Sequence, residues 1–243
     1  MTLAVVMIAN FVVGVLLGLT SIAGFLLPML YVSLSYNVQE ALALSFIAFC
    51  ISGILGSYNY YKKGQLRVKY GIQLGLASAV GAVIGVYLNS FIDDSIVKIL
   101  LYSVVLFSGI SILFRKDKEH TVPKIPSLWI TLLLGFTTAI VCALSGAGGP
   151  ILVMPLLVVF GFKIREAIAL GLFDSIFIAI PSSVGYLMQC NIQDILVVLI
   201  AASIAHGIGV YLGSLHSEHV PQALIKKVVA ISSICIAIWK LLG

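Results

Sequence analysis

The sequence predicts an all-α polytopic membrane protein built from two inverted-topology repeats. Each repeat has about five helical elements, including a short broken or re-entrant helix. Three observations predict this. First, 61% of the 243 residues are hydrophobic and only 9% are charged, against about 25% charged in soluble domains. A soluble chain so poor in charge cannot cover its surface, whereas in a bilayer both buried and lipid-facing positions take apolar side chains. Second, the chain is written twice. Ile84-Gly85-Val86-Tyr87-Leu88-Asn89-Ser90 returns as Ile208-Gly209-Val210-Tyr211-Leu212-Gly213-Ser214, 124 residues later. Gln39-Glu40-Ala41-Leu42-Ala43-Leu44 returns as Arg165-Glu166-Ala167-Ile168-Ala169-Leu170, and Leu27-Pro28-Met29-Leu30 as Met154-Pro155-Leu156-Leu157. Two related halves of a very apolar chain are a common plan of secondary transporters. Third, the basic residues gather on one side only if the halves are inverted.

Apolar runs separated by short polar turns give the elements in order. The first repeat, 1–114, reads as 3–19, 22–35, 39–60, 69–90 and 95–114. A linker, 115–127, carries Pro123 and Pro126. The second repeat, 128–243, reads as 128–145, 149–161, 165–187, 193–214 and 219–242. Three elements per half reach the roughly 20 residues that a bilayer core requires. The second element of each half is too short and contains Pro28 or Pro155. Elements one and two of each half are therefore expected to form a hairpin that bends inside the membrane. The N-terminal residues have no basic stretch or cleavage pattern of a signal peptide and read as the first membrane segment.

Lys and Arg set the orientation. They cluster at Lys62, Lys63, Arg67 and Lys69, at Arg115, Lys116, Lys118 and Lys124, at Lys163 and Arg165, and at Lys226 and Lys227. If each bent hairpin enters and leaves on one side, these 12 of the 14 basic residues share a side, which makes it and the linker cytoplasmic. If each hairpin crosses an odd number of times, only nine of the 14 do. Each half then spans an odd number of times, and the halves are inverted. The turn at Gln189 to Asp194, with no Lys or Arg, falls outside, in a chain placed in the inner membrane of the cell. The net charge of +5 lies in short clusters with no basic face, which argues against nucleic acid as a partner. Cys50, Cys142, Cys190 and Cys235 have no CxxC spacing and read as small apolar residues, with no metal site or cofactor implied.

The bends come first as a candidate site. The second half reads Leu144-Ser145-Gly146-Ala147-Gly148-Gly149-Pro150, and the first half Leu19-Thr20-Ser21-Ile22-Ala23-Gly24-Phe25. Small residues let a backbone break and approach a ligand closely, and Pro150 suits a first helical turn. A helix that begins inside the membrane presents free N–H groups and partial positive charge, which favours an anion without any basic side chain. The same residues also suit plain close packing. The third element of each half adds a small and polar stripe: Ser45, Ser52, Gly56 and Asn59, then Gly171, Asp174, Ser175, Ser182 and Gly185. Spacings of three, four and seven put each stripe on one face, directed at the bends or at a neighbouring helix. The substrate-binding candidates are Ser21, Gly24, Ser45, Ser145, Gly146, Gly148, Gly149 and Ser175.

Asp174 stands about nine residues inside an apolar helix with no basic residue near it in sequence, a costly position that marks a functional candidate. Carried in protonated form, it could donate to an anion and release its proton on turnover. The first half has Ala48 at the matching place, so the role would be asymmetric. His206, in the middle of the ninth element, is the second proton-coupling candidate; a packed structural histidine is the alternative. Glu40 and Glu166 begin matching helices and read as partners of the helix dipole. Ala77, Gly81 and Gly85, with Ala201, Ala205, Gly209 and Gly213, form ridges for helix contact. No P-loop, HExxH or nucleophile elbow occurs, so the chain does not read as an enzyme.

At the bends the chain resembles the sulfite exporter TauE/SafE family. Gly135 to Pro155, with Leu144-Ser145-Gly146-Ala147-Gly148-Gly149-Pro150-Ile151-Leu152-Val153-Met154-Pro155, is similar to that family's glycine-rich segment followed by an apolar stretch and proline. Tyr61-Lys62-Lys63-Gly64-Gln65-Leu66 resembles its basic turn. The resemblance implies transport of small anions such as sulfite, sulfoacetate or related organosulfonates. The first-half bend departs from it, with Ile22 and Ala23 in place of glycines. The functional expectation is a permease of small sulfur-containing anions, possible as a homo-oligomer. Its rivals are a passive anion channel and a membrane scaffold subunit.

Overall fold

The computed structural model describes residues 3–21, 23–93 and 126–218, with scattered positions at 95–110 and 221–238. Most of the linker and most of the fifth element expected in each half (95–114 and 219–242) lie outside the described residues. Among the described residues every regular element is helical: α1 (Leu3–Thr20), a 3₁₀ turn (Ala23–Phe25), α2 (Leu26–Ser33), α3 (Val38–Lys62), α4 (Val68–Asn89), α5 (Leu128–Ser145), α6 (Gly149–Val159), α7 (Ile164–Leu187) and α8 (Ile192–Leu215). Six of them (α1, α3, α4, α5, α7 and α8) are long and apolar enough to cross a membrane. They include the first element of each half, at 18 residues. The short second elements are α2, with 8 residues, and α6, with 11.

Local chemistry sets the helix ends. Asn37 and Glu40 close a capping box at the start of α3: Asn37 Oδ1 accepts from the Glu40 N–H at 2.8 Å, and Glu40 Oε2 from the Asn37 N–H at 3.1 Å, which satisfies two otherwise orphaned donors. Glu166 sits in the first turn of α7, as Glu40 does in α3, and accepts from Arg67 at 3.1 Å. Pro150 occupies the first turn of α6, where its missing N–H removes no helical bond.

Helix packing repeats when the halves are exchanged. α1 lies against α8 as α5 lies against α4, α3 crosses α7, and α3 meets α8 as α7 meets α4. Glycines bring the outer pairs together. A Cβ on Gly209 or Gly213 would meet the carbonyls of Phe11 or Val15, and one on Gly81 or Gly85 those of Phe136 or Ile140. These contacts are backbone to backbone, the close approach that small residues permit in membranes.

The same contacts fix directions. Gly14 and Gly18 advance along α8 from His206 to Ser214, so α1 and α8 run parallel. Ser52 pairs with His206 and Asn59 with Ser214, so α3 runs with them. Gly71 meets Phe173, Gly75 meets Phe177, and Gly85 meets Ile140 and Ala143, so α4, α7 and α5 run parallel to one another. Arg67, just after α3, reaches Glu166 at the start of α7. The two groups are antiparallel: α1, α3 and α8 run one way, and α4, α5 and α7 the other.

The polarity is that of a chain solvated by lipid. Leu76, Val80, Val83 and Tyr87 form an exposed apolar stripe on α4, and Val197, Ile200, Ile204 and Ile208 another on α8. Ser45, Ser52, Ser78, Ser175, Ser182, Asp174 and His206 are buried instead.

Candidate functional site

Both bends begin alike, with a left-handed residue directly after the first helix. After α1, the Ser21 N–H donates to Leu17 O at 2.7 Å, with Ser21 at φ +60°; after α5, the Gly146 N–H donates to Cys142 O at 2.8 Å, with Gly146 at φ +72°. The residues just before them, Thr20 and Ser145, each donate a hydroxyl to the carbonyl four residues back, both at 2.7 Å. Buried tyrosines of the third helices bond to the helix ends just before the bends: Tyr60 OH donates to Gly18 O at 3.2 Å, and Tyr186 OH to Ala143 O at 2.7 Å. The left-handed residue turns the chain. Glycine adopts it freely, but a serine there is uncommon and worth explaining.

Between the bends lies a narrow cavity, with room for about one water molecule. It is lined by Leu17, Ser21 and Gly24 of the first bend, Ala147, Gly148, Pro150 and Ile151 of the second, Phe49 and Ser52 of α3, and Ser175 of α7. The Phe49 ring stands against both bends. A Cβ on Gly24 would come within 2.9 Å of it and one on Gly148 within 3.2 Å, so both positions lack space for a side chain. The Ser21 hydroxyl is buried and has no hydrogen-bond partner. The Ser175 hydroxyl donates to Leu172 O at 2.6 Å.

Of the eight binding candidates, Ser21, Gly24, Gly148 and Ser175 line this cavity. Gly146 and Gly149 shape the second bend beside it: a Cβ on Gly146 would meet Leu42 and Pro28, and one on Gly149 would lie 2.7 Å from Ile178. Ser45 donates to Ala41 O at 2.6 Å. Ser145 lines a separate small space with Pro28, Val32, Val38, Ala41, Leu42 and Val97. Sequence reasoning did not single out Phe49 or place Ser52 among the binding residues. The repeat register held the signal for Phe49, which stands 126 residues before Ser175 and so occupies its place in the other half.

Asp174 and His206 are both fully buried. Neither carboxylate oxygen of Asp174 has a hydrogen-bond partner. The group faces Ser78, whose hydroxyl donates to Leu74 O at 3.1 Å, and its Oδ2 lies 3.5 Å from where a Gly149 Cβ would stand. It therefore adjoins the start of α6 without lining the cavity. His206 is well partnered. Its Nε2 lies 2.6 Å from Ser52 Oγ and its Nδ1 3.2 Å from Asn10 O. Asn10 in turn accepts from Tyr31 OH at 3.0 Å and donates to Val6 O at 2.9 Å. No cluster of metal-ligating side chains occurs among the described residues.

The geometry offers a narrow space between two bends, lined by apolar side chains, glycines and three serines, with two buried ionisable groups nearby. The family profile described as "Sulfite exporter TauE/SafE" matches residues 6–239. The chain belongs to the TauE/SafE family. Among its relatives is "Probable membrane transporter protein YdhB" of Bacillus subtilis (strain 168), 23% identical over 232 residues that cover 92% of this chain and 94% of the relative. A second, "Probable membrane transporter protein MJ0441" of Methanocaldococcus jannaschii, is 27% identical over 181 residues, covering 70% of this chain and 66% of the relative. No solved structure matches the chain. Membership in this family makes the protein a multi-pass membrane transporter.

Proposed function

We propose that this TauE/SafE protein is a secondary transporter of small anions in the inner membrane of the cell, with sulfite, organosulfonates and related sulfur-containing anions as its substrate class. One observation carries the reading. Ser21, whose buried hydroxyl has no hydrogen-bond partner, lines a cavity shared by both bends, where it can donate to an anion beside Gly148, the N-cap of α6. The family's description supplies the sulfur chemistry. Ser21, Gly24, Gly148 and Ser175 surround the anion; Gly146 and Gly149 shape the second bend.

The two halves, 1–114 and 128–243 about a cytoplasmic linker at 115–127, are inverted repeats in this reading. The opposed directions of counterpart helices and the matched bends support it. A cavity with room for about one water cannot take a polyatomic anion without helix movement. Alternating access follows when the halves exchange roles. Asp174 and His206 are the proton-coupling candidates, since each is an ionisable side chain held inside the bundle.

The test is thermal stability of the detergent-purified protein against sulfite, thiosulfate and organosulfonates, because a ligand of the folded state raises stability by mass action. The reading expects stabilisation by at least one of them, saturating with concentration. Stable protein that none of these anions stabilises would count against it and favour the scaffold role. Conductance without saturation in planar bilayers would favour the channel.

A further inference from the structure

The His206 contacts can be counted proton by proton. Asn10 O is an acceptor only, so the Nδ1 beside it at 3.2 Å carries a proton. The Ser52 hydroxyl then has one hydrogen and two acceptors in reach, His206 Nε2 at 2.6 Å and Ala48 O at 2.7 Å. With neutral His206, Nε2 has no proton and takes the hydroxyl hydrogen. With doubly protonated His206, Nε2–H donates to Ser52 Oγ and the hydroxyl hydrogen is released. Ala48 O is not orphaned if that hydrogen turns elsewhere, since it already accepts the Ser52 N–H within the helix. Ser52 also lines the cavity, together with the unpartnered hydroxyl of Ser21.

Resting on the anion-transport reading above, we infer that Ser52 is an anion-binding residue controlled by His206. Its hydroxyl donates to an anion in the cavity when His206 carries its second proton, so one proton is taken up with each anion bound. An imidazolium without the anion would be an unpaired buried charge, and the anion without it would lose a donor; each makes the other's burial less costly. Among the described residues nothing charged stands nearby to replace either. α1 has no ionisable side chain. On α3, Glu40 and Lys62 stand roughly 15 Å or more from Ser52 along the axis, and Cys50 and Tyr58 lie roughly 200° and 240° around the helix. Tyr60 is engaged by Gly18 O, and Tyr31 reaches the network only through the Asn10 side chain. On α8 itself, Asp194 lies in the first turn. Asp174 approaches Ser78 and Gly149 instead.

The experiment is calorimetric titration of the purified protein with thiosulfate and with methanesulfonate, whose own charges are fixed across the neutral range, in buffers of differing ionisation enthalpy. Wild type is expected to take up about one proton per anion and to bind up to about tenfold more tightly per unit fall in pH. His206→Gln should lose the uptake and Asp174→Asn should keep it. Ser52→Ala should weaken binding about tenfold or more, and decides the matter with the wild-type proton count if His206→Gln does not fold. Binding without proton uptake, uptake retained in His206→Gln, uptake lost in Asp174→Asn, or full affinity in Ser52→Ala would each overturn the inference while the transporter reading stands. Failure of both anions to bind wild type at any pH would remove both.

Discussion

Ser21 holds a left-handed backbone that costs an L-residue roughly 1–2 kcal/mol relative to glycine, and its counterpart Gly146 takes the same conformation without that cost. Its hydroxyl is buried without a partner, so the position carries two local penalties, a pattern that often marks function. Ser21→Gly should therefore leave the melting temperature of the empty protein unchanged or raise it, by up to about 2 kcal/mol of stability, while reducing the stabilisation conferred by thiosulfate. Ser21→Ala keeps the strain and removes the hydroxyl, so it should lose the same anion effect while gaining only what the unpartnered hydroxyl costs. Paired thermal melts with and without thiosulfate read both, and an undiminished anion shift in Ser21→Gly would dismiss Ser21 as a ligand. The residue was legible as a candidate because its bend repeats a glycine-rich one. Its strain was not, since nothing local in Thr20-Ser21-Ile22 marks a positive φ. The Ser52–His206 contact was illegible for another reason: the partners are 154 residues apart, and only the packing of α3 on α8 brings them together.

Helices are the part of the molecule that the sequence encodes most directly. The apolar run at 128–145 is α5 to the residue, and α3, α4, α7 and α8 fall within two residues of their runs. The second elements read too long. The run at 22–35 resolves into a 3₁₀ turn and a helix ending at Ser33, and the run at 149–161 ends at Val159. Each helix stops two residues before a positive φ, at Ser35 (+70°) and Gly161 (+87°). Glycine advertises such an ending and serine does not. At this scale the glycine ridges separate space from conformation. Gly64 has φ +68° and nothing within 4 Å of an added Cβ, whereas a Cβ on Gly209 would meet Phe11 O. Gly64→Ala should cost about 1 kcal/mol from strain alone. Gly209→Ala must move α1 away from α8 and should cost more, about 1–3 kcal/mol as overpacking does, together with loss of the His206–Asn10 contact. Melting temperatures of the two variants check the order; a Gly209→Ala protein as stable as Gly64→Ala would mean that the α1–α8 contact yields freely.

For the whole molecule the question is which ends share a side of the membrane. Arg67–Glu166 at 3.1 Å and Arg165–Glu218 at 3.7 Å close one end, where Lys63 also donates to the Ser214 and Leu215 carbonyls at 3.0 Å. Partly exposed pairs such as these contribute only about 0–1 kcal/mol each, a tie weak enough to break when that end opens. The end of α3 thus lies beside the end of α8 and the start of α7. The turn after α7 must lie at the opposite end, because α7 runs against α3. In the proposed orientation, with the basic end cytoplasmic, Gly64 lies inside and Gln189 outside. Both positions are exposed. In a background with Cys50, Cys142, Cys190 and Cys235 replaced, Gln189→Cys should react with an impermeant maleimide added to intact cells, while Gly64→Cys should react only after the membrane is opened. Reaction of both from the same side would rule out the inverted arrangement and, with it, any mechanism that relies on the halves exchanging roles. Reversed accessibility would preserve the inversion and overturn only the charge-based orientation, turning the tied end of the bundle outward.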